Sequence, residues 1–413
     1  MKNKTLQKTL IGLLLLAVFF SPRFGGFRAQ DFLLVLSILV WVVFPKSRNE
    51  LQYIFRDSRV AKLGRLILVF LILSLAMTIV HILFGNLMVN PSLLFLVKEM
   101  QYFVLFGFIL LNYDQAKFML RLYFIFMGIQ VVWGLAQIAS GKAFGYYGIG
   151  LLGEGGSSQS GLVYFMGFAI ALGHLLNAIL ERDKSKRKSL YFLFLLTLML
   201  CVMSTASRTA IVAMAMTLVI AVVIFLLNRP WYLLISLAVG LPTTGLAYWW
   251  LTSFSGRIVF VDRALERLSK FSRGSSVRFW KWRYDIQGIM DYAPGWLVGM
   301  GAAVHNVYRG TLTLGADSQY LRIVYEKGVV GLALWCTIII TLFMILRRNR
   351  EYLGPLYHSW VLVTFGMLVT GVTHEVFVVV KIAESFWTFT GICLGWAYLV
   401  RQGSDKEDQL ALS

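Results

Sequence analysis

The sequence predicts an all-α protein that crosses a membrane many times, and three observations favour this fold class. Of the 413 residues, 58% are apolar and only 14% are charged, whereas soluble globular chains are roughly half apolar and about a quarter charged. The mean hydropathy is +0.72. Long apolar runs such as Ala210–Leu227 reach roughly the 20 residues that an α-helix needs to cross a bilayer. The composition therefore excludes a soluble enzyme and a disordered chain.

Apolar runs predict about 12 transmembrane helices. The runs cover approximately residues 6–22, 31–45, 64–84, 92–112, 118–139, 159–180, 189–205, 209–227, 231–252, 329–346, 357–373 and 378–400. We expect the first run to be retained, because no small-residue cleavage site follows it. The predicted organisation is nine spans in residues 1–252, a loop at 253–328, three spans in 329–400 and a tail at 401–413.

Basic residues in the short loops predict that both termini are cytoplasmic, because cytoplasmic loops carry an excess of Lys and Arg. With the amino terminus inside, the cytoplasmic loops contain the basic clusters at residues 46–65, 182–188 and 347–350. The short loops on the opposite side hold few basic residues: Arg23, Arg28, Lys142, Arg208 and Lys381. The net charge of +19 therefore reflects membrane orientation, and no nucleic-acid partner is expected.

The loop at 253–328 lies on the exported side and is nevertheless basic. It holds eleven Lys and Arg against six Asp and Glu, a net charge of +5. Long loops are exempt from the orientation rule, and a basic surface beside a membrane suits an anionic ligand. The alternative is a solvated loop whose charges pair with one another or with lipid headgroups.

Helical spacing of apolar residues predicts two short amphipathic helices in this loop, at about 258–270 and 278–289. The second has Phe279 and Trp282 on one face and Arg278 and Lys281 on the other. Aromatic rings are favourable at the headgroup level. We expect both helices to lie on the bilayer surface, either as part of a site or as covers over the bundle.

Ionisable residues within the predicted spans are few: Lys98, Glu99, Lys381 and Glu384. Such residues are costly in hydrocarbon unless they face protein or water. All four are predicted near the exported ends of their spans, so a water-filled cavity would accommodate them. Lys98 and Glu99 could instead snorkel or pair with a neighbouring helix, whereas Glu384 lies deeper and needs a partner.

Metal, redox and nucleotide chemistry have no motif in this sequence. The three cysteines fall in apolar runs, and the five histidines show no closely spaced ligand pair. There is no Walker loop, dinucleotide fingerprint or GxSxG motif, so ATP-driven transport and serine hydrolysis lack support. We expect no cofactor and no metal, and any chemistry must use exported Arg, Asp, Glu or His.

Three motifs after the seventh span resemble a known family. Ser207-Arg208 lies between two apolar runs, and the loop contains Ser276–Trp282 and then the glycine-rich Pro294–Gly301. Asp317-Ser318 is followed, after nine residues, by Gly328-Val329-Val330-Gly331. These motifs and their spacing resemble the O-antigen ligase and polymerase superfamily of bacterial envelope glycosyltransferases over about residues 200–335. The span count is compatible with that family and with a GT-C-like architecture.

The resemblance implies the polymerase branch, because Asp317 stands where the ligases have a catalytic His. His305 does not replace that residue, since the glycines do not follow it at the required interval. Such polymerases transfer a growing glycan from undecaprenyl pyrophosphate to a sugar hydroxyl of another lipid-linked repeat unit. The ligases instead transfer finished polysaccharide to lipid A-core. The implied location is the bacterial inner membrane, with a periplasmic site and with a flippase and a chain-length regulator as partners.

The resemblance and the chemistry together predict the site residues. Arg208 and Arg278 would clamp the pyrophosphate, because guanidinium groups match phosphate oxygens without a metal. Asp317 would orient the acceptor hydroxyl and take its proton as the bond forms. Further substrate contacts are expected from Lys281, Arg283, Arg322, Tyr320, His305, Glu375 and Glu384.

Other functions stay open on sequence alone. A lipid-linked oligosaccharide flippase would also be basic and would bind pyrophosphate, but transporters of that kind have corresponding halves, and no internal repeat is visible. A scaffold protein of the same machinery would not need Arg208, Arg278 and Asp317 together. Structural alternatives are an interfacial anchor for Arg208 and a helix cap for Asp317.

Overall fold

The computed structural model is almost entirely helical in the part of the chain that it describes. That part comprises residues 2–20, 23–24, 27–43, 54, 57–84, 87, 89–141, 149–151, 157–181, 187–205, 207–229, 282–283, 286–287, 290, 295–302, 318–377 and 380–411. The prediction of an α-helical fold class is confirmed for these residues.

Thirteen α-helices occur in the part of the chain that the structure describes. They are α1 (Lys2–Phe20), α2 (Ala29–Val43), α3 (Ser58–Leu83), α4 (Val89–Leu111), α5 (Ala116–Ala139), α6 (Ser157–Leu180), α7 (Arg187–Ser204), α8 (Arg208–Asn228), α9 (Gly295–Val298), α10 (Gln319–Arg348), α11 (Arg350–Leu353), α12 (Pro355–Gly371) and α13 (Val380–Ala411). A 3₁₀ turn, Tyr113–Gln115, precedes α5. Between α1 and α2, Arg23–Phe24 (β1) and Phe27–Arg28 (β2) pair antiparallel, with Arg23 opposite Arg28.

Six of the described helices are long and apolar enough to cross a membrane. They are Ser58–Leu83, Ser92–Leu111, Tyr113–Ala139, Gln159–Leu180, Arg208–Asn228 and Gln319–Arg348, and Thr5–Phe20 and Lys188–Ser204 are shorter apolar helices. Every predicted span coincides with a described helix except 231–252, which lies outside the described residues. The first predicted loop helix, at 258–270, is also outside them, and of the second, residues 282–283 and 286–287 are helical. The described part is that of an all-α membrane protein.

Polar side chains fix the starts of three helices. Asp57 caps α3 by accepting a hydrogen bond from Arg59 N at 3.0 Å. Ser207 caps α8 by accepting from Ala210 N at 3.3 Å, and Ser318 caps α10 by accepting from Leu321 N at 3.5 Å. These side chains satisfy backbone donors that the first helical turn leaves without a partner.

Helix α6 is the centre of the bundle and packs against α7, α8 and α12. Small residues allow the close approach: a Cβ on Gly173 would lie 2.3 Å from Ser359 N, and one on Gly366 would lie 2.0 Å from Phe165 Cζ. A Cβ on Gly161 would lie 2.6 Å from the Cβ of Ser207. The starts of α6 and α8 and the end of α12 are therefore at the same end of the bundle.

Candidate active site

Helix α10 is interrupted at Gly328, inside the motif that resembles the ligases. Gly328 has φ 68° and ψ −174°, so residues 319–327 form one helical segment and the long apolar segment follows. A positive φ favours glycine because it has no Cβ. A Cβ here would also lie 2.1 Å from Leu297 O, so the position is closed to any larger residue. The predicted boundary between the loop and the tenth span coincides with this break.

The glycine-rich motif Pro294–Gly301 donates backbone hydrogen bonds to carbonyl groups that the break at Gly328 leaves without helical partners. Met300 N donates to Tyr325 O and Gly301 N donates to Glu326 O, both at 2.9 Å. Gly299 and Gly301 have φ of 84° and 88°, and a Cβ on Gly299 would lie 2.2 Å from Lys327 N. The two glycine motifs therefore contact each other through their backbones, which satisfies carbonyl groups that the kink removes from the helix.

Helix α3 anchors the turn that follows α9. Ala302 N donates to Thr78 Oγ1 at 2.9 Å, and the same hydroxyl donates to Ser74 O at 2.7 Å. Met300 and Leu87 form a small buried apolar cluster beside it. The turn is thereby held between α3 and the break in α10.

Three side chains tie the start of α10 to the end of α12 and to the segment after it. Tyr320 donates its hydroxyl to Leu368 O at 2.6 Å, and Gln319 Oε1 accepts from Phe377 N at 3.0 Å. Ser318 donates its hydroxyl to Gly371 O at 3.5 Å. These bonds hold Glu375 opposite the first turns of α10. They also show that Ser318 performs the capping role that the sequence left open for Asp317.

Arg322 is buried between two carboxylates. Its Nε lies 3.1 Å from Glu326 Oε1, one helical turn away, and its Nη1 donates to Glu375 Oε2. The guanidinium carbon also lies 5.2 Å from the centroid of the Phe95 ring, a cation–π distance. Arg322 was predicted to contact substrate; in this arrangement it positions Glu375, whose side chain is 17% exposed.

Lys327 is the last residue before the break, and its side chain is only 1% exposed. Its Nζ lies 3.0 Å from Glu99 Oε1 and 3.2 Å from Glu326 Oε2. Ser74 donates to the other Glu99 oxygen at 2.9 Å, and the ammonium lies 5.3 Å from the centroid of the Phe70 ring. Of the two sequence alternatives for Glu99, pairing with a neighbouring helix is the one observed.

We call Glu99, Arg322, Glu326, Lys327 and Glu375 the charged cluster. It joins α4, α10 and the segment after α12, and it contains two cations and three carboxylates. Charges in a low-dielectric interior are tolerated only when they are paired and hydrogen-bonded. The pairing makes the cluster rigid, and Glu99 and Glu375 are its most exposed members, at 18% and 17%.

The other charged residues in the predicted spans lie at this same end of the bundle. Lys98 forms an ion pair with Asp31 of α2. Lys381 donates to Phe19 O at 3.4 Å, at the last turn of α1, and its side chain is buried. Glu384, one turn further along α13, is fully buried. A substrate therefore does not reach Glu384 in this conformation.

Arg208 is the first residue of α8 and is half-buried. It is at the same end of the bundle as Glu375, because α8 begins where α12 ends. Among the described carboxylates, none forms an ion pair with it. Arg322, in contrast, is paired with both Glu326 and Glu375.

The remaining predicted site residues divide into two groups. Arg283 is exposed on a helical turn of the loop. Asp317, Arg278, Lys281 and His305 lie outside the described residues. Of the predicted residues, the structure thus brings Arg322 and Glu375 into contact, with Tyr320 on the same turn of α10.

The sequence interpretation missed Glu326, Lys327 and Ser74 as members of the site. A signal for Glu326 was present, since it follows Arg322 by four residues and such pairs share a helix face. The position of Lys327 directly before Gly328, a glycine of the quoted motif, was a signal that Lys327 lies near the site. Ser74 gave no signal, because a serine in an apolar run is common.

No family model and no curated protein matches this chain. The family resemblance therefore rests on the motifs quoted above and on the fit between their residues.

Proposed function

We propose that the protein is a glycosyltransferase that polymerises a surface polysaccharide such as O-antigen. It transfers a growing glycan from undecaprenyl pyrophosphate to a sugar hydroxyl of another lipid-linked repeat unit. The site faces the periplasm of a bacterium, and the chain resides in the inner membrane beside a flippase and a chain-length regulator. In this proposal the chain has 12 spans and cytoplasmic termini, with the loop at 253–328 exported.

One observation carries the proposal: the two glycine motifs meet at a helix break that borders a buried charged cluster. A Cβ on Gly299 would lie 2.2 Å from Lys327 N, and Gly301, at a φ of 88°, donates its N–H to Glu326 O. A membrane protein retains such costly charges mainly for function. The family resemblance suggests the class of function. The backbone contact between Gly299–Gly301 and Glu326–Gly328 is a structural reason for the two glycine motifs to occur together.

The reaction assigns separate roles to the charged groups. The acceptor hydroxyl oxygen attacks the anomeric carbon of the donor, and the bond from that carbon to the pyrophosphate oxygen breaks. The leaving pyrophosphate takes the bonding electrons, so Arg208 and Arg278 stabilise its growing charge. Asp317 accepts the hydroxyl proton. Ser318, which caps α10, and the Arg322–Glu375 pair fix the backbone next to Asp317.

The proposal is tested by incubating the purified full chain in proteoliposomes with a synthetic undecaprenyl-pyrophosphate-linked repeat unit. A ladder of products that differ by one repeat unit is the expected result. An Arg208→Gln variant of normal abundance should give no ladder. Absence of a ladder from the wild-type chain, with several different repeat units, would contradict the proposal.

An O-antigen ligase is the second candidate, and it is distinguished by its acceptor. Adding lipid A-core to the same vesicles should not change the products if the chain is a polymerase. Transfer of glycan to lipid A-core would assign it to the ligases. Movement of intact lipid-linked oligosaccharide across the bilayer without new bonds would instead identify a flippase.

A further inference from the structure

A second charged site lies at the opposite end of α10. Arg59, Arg347, Arg348 and Arg350 line a cavity of about 430 Å³ together with Met344. Arg347 follows Lys327 by 20 residues, which corresponds to roughly 30 Å along a helix. This is about the thickness of the hydrocarbon core of a bilayer. The cavity is therefore at the other membrane surface from the charged cluster.

The four guanidinium groups come from three elements, α3, α10 and α11, and all four side chains are exposed. No ion pair joins any of them to a carboxylate among the described residues. The nearby Asp57 is engaged elsewhere, since it accepts from Arg59 N and from the hydroxyl of Tyr398 at 3.0 Å. Cations that converge without such pairs repel one another, so the arrangement suits an anionic ligand.

An apolar surface continues from the cavity toward the membrane. Met344 is 43% exposed, and Ile340, one turn before it on α10, is 56% exposed. Both residues are on a helix that is long and apolar enough to span a bilayer. A ligand that fits both parts carries an anionic group at one end and apolar chains at the other.

We infer that this cavity binds the phosphate group of an anionic membrane phospholipid whose acyl chains lie along α10. Guanidinium groups bind phosphate oxygens in pairs, with stronger hydrogen bonds than neutral donors make. Basic pockets between transmembrane helices bind anionic lipid headgroups in this way. The orientation rule explains why arginines occur at this membrane surface, but it does not explain why four of them surround one cavity.

The test compares two double variants of the full chain in neutral detergent. Arg347→Gln/Arg348→Gln removes two cavity arginines, and Lys117→Gln/Arg121→Gln removes two exposed charges of α5. The control residues are at the same end of the bundle as the cavity. Tyr113, one turn before Lys117, donates its hydroxyl to Gln402 at 3.3 Å. Tyr398, one turn before Gln402, donates its hydroxyl to Asp57, which is close to Arg59. Phosphatidylglycerol is titrated against a phosphatidylcholine background, and retained lipid is counted by native mass spectrometry.

The cavity variant should bind phosphatidylglycerol at least about tenfold more weakly than the wild type, as expected for lost hydrogen bonds between charged groups. The control variant should bind it as the wild type does. Wild-type binding by the cavity variant, or an equal loss in the control, would overturn the assignment. A parallel titration with inorganic phosphate distinguishes a free anion from a lipid. Phosphate that displaces the lipid at comparable concentration would overturn the assignment to a phospholipid.

Discussion

Arg208 and Arg322 are both at the end of the bundle that carries the charged cluster, but they are held differently. Arg322 is enclosed by Glu326 and Glu375, so its charge is neutralised within the protein. Arg208 is half-buried at the start of α8 and has no carboxylate partner among the described residues. We therefore assign donor binding to Arg208 and positioning to Arg322.

Arg208→Lys is expected to lower the polymerisation rate on the order of 10²-fold, although it keeps the charge. Lysine lacks the planar fork that contacts two phosphate oxygens, and loss of one oxyanion donor has about this effect. Arg229→Lys is a matched control at the other end of α8, where the arginine donates to Leu180 O at 3.2 Å. The rate of ladder formation checks both variants. Full activity in Arg208→Lys at normal abundance would remove Arg208 from the site.

Asp317→Asn should retain donor binding but reduce polymerisation by roughly 10²–10⁴-fold, the usual contribution of a general base. Asp317→His restores the ligase residue and should recover part of the activity toward the lipid-linked repeat unit. It should gain none toward lipid A-core, because the acceptor is selected elsewhere in the loop. An Asn variant as active as the wild type would leave Asp317 without a role in proton transfer, and Glu375 and His374 would be tested next.

Lys327→Met is expected to destabilise the protein by about 3–5 kcal/mol, because it leaves Glu99 without its cation and Glu326 with Arg322 alone. The double variant Lys327→Met/Glu99→Gln should recover part of this loss, since it also removes one of those charges. Lys117→Met, at an exposed position, is the control and should have little effect. Thermal unfolding in detergent measures all three. Unchanged stability of Lys327→Met, or no recovery in the double variant, would contradict the ion-pair account of the cluster.

At the scale of elements, the break in α10 determines where the charged cluster can form. In an uninterrupted helix, the carbonyls of Tyr325 and Glu326 would accept hydrogen bonds from N–H groups one turn further along. At the break they accept from Met300 N and Gly301 N instead. The α9 turn is thereby fixed against Lys327. The break thus joins the segment that carries α9 to the helical bundle beside the cluster.

Gly328→Ala should displace the α9 turn, because the new Cβ would lie 2.1 Å from Leu297 O at a φ of 68°. The backbone conformation alone, with positive φ and ψ near 180°, costs roughly 1–3 kcal/mol in a residue other than glycine. Gly128→Ala in α5 is the control, since nothing lies within 4 Å of its added Cβ. Hydrogen exchange of residues 295–302 should increase in Gly328→Ala and stay unchanged in Gly128→Ala. Equal protection in both variants would show that the glycine contact does not hold the turn.

The helices could be predicted from sequence because an apolar run of this length has few structures available in a bilayer. Helix ends were harder: the third span was predicted to start at residue 64, but α3 begins at Ser58. The extra turn contains Arg59 and Lys62, and hydropathy does not detect polar helical turns. The ion pairs could not be predicted, because Lys98 and Asp31 are 67 residues apart and only the packing of α2 and α4 brings them together.

Within the described residues, two charged regions lie about one hydrocarbon thickness apart along α10. The first combines cations with buried carboxylates at the Gly328 break, and the second is a cavity lined by arginines. The first suits a reaction in which charge develops on a leaving pyrophosphate. The second suits a stationary anionic lipid that anchors the bundle at the opposite surface.

A polymerase of the proposed kind forms one glycosidic bond for each undecaprenyl pyrophosphate that it releases, without a divalent metal. Both products are counted over time for the purified chain with lipid-linked repeat units in EDTA. We expect a ratio of one and an unchanged rate in EDTA, because arginines stabilise the leaving group. Bond formation that stops in EDTA and resumes with Mg²⁺ or Mn²⁺ would contradict the arginine clamp, and lipid translocation without pyrophosphate release would contradict the glycosyltransferase.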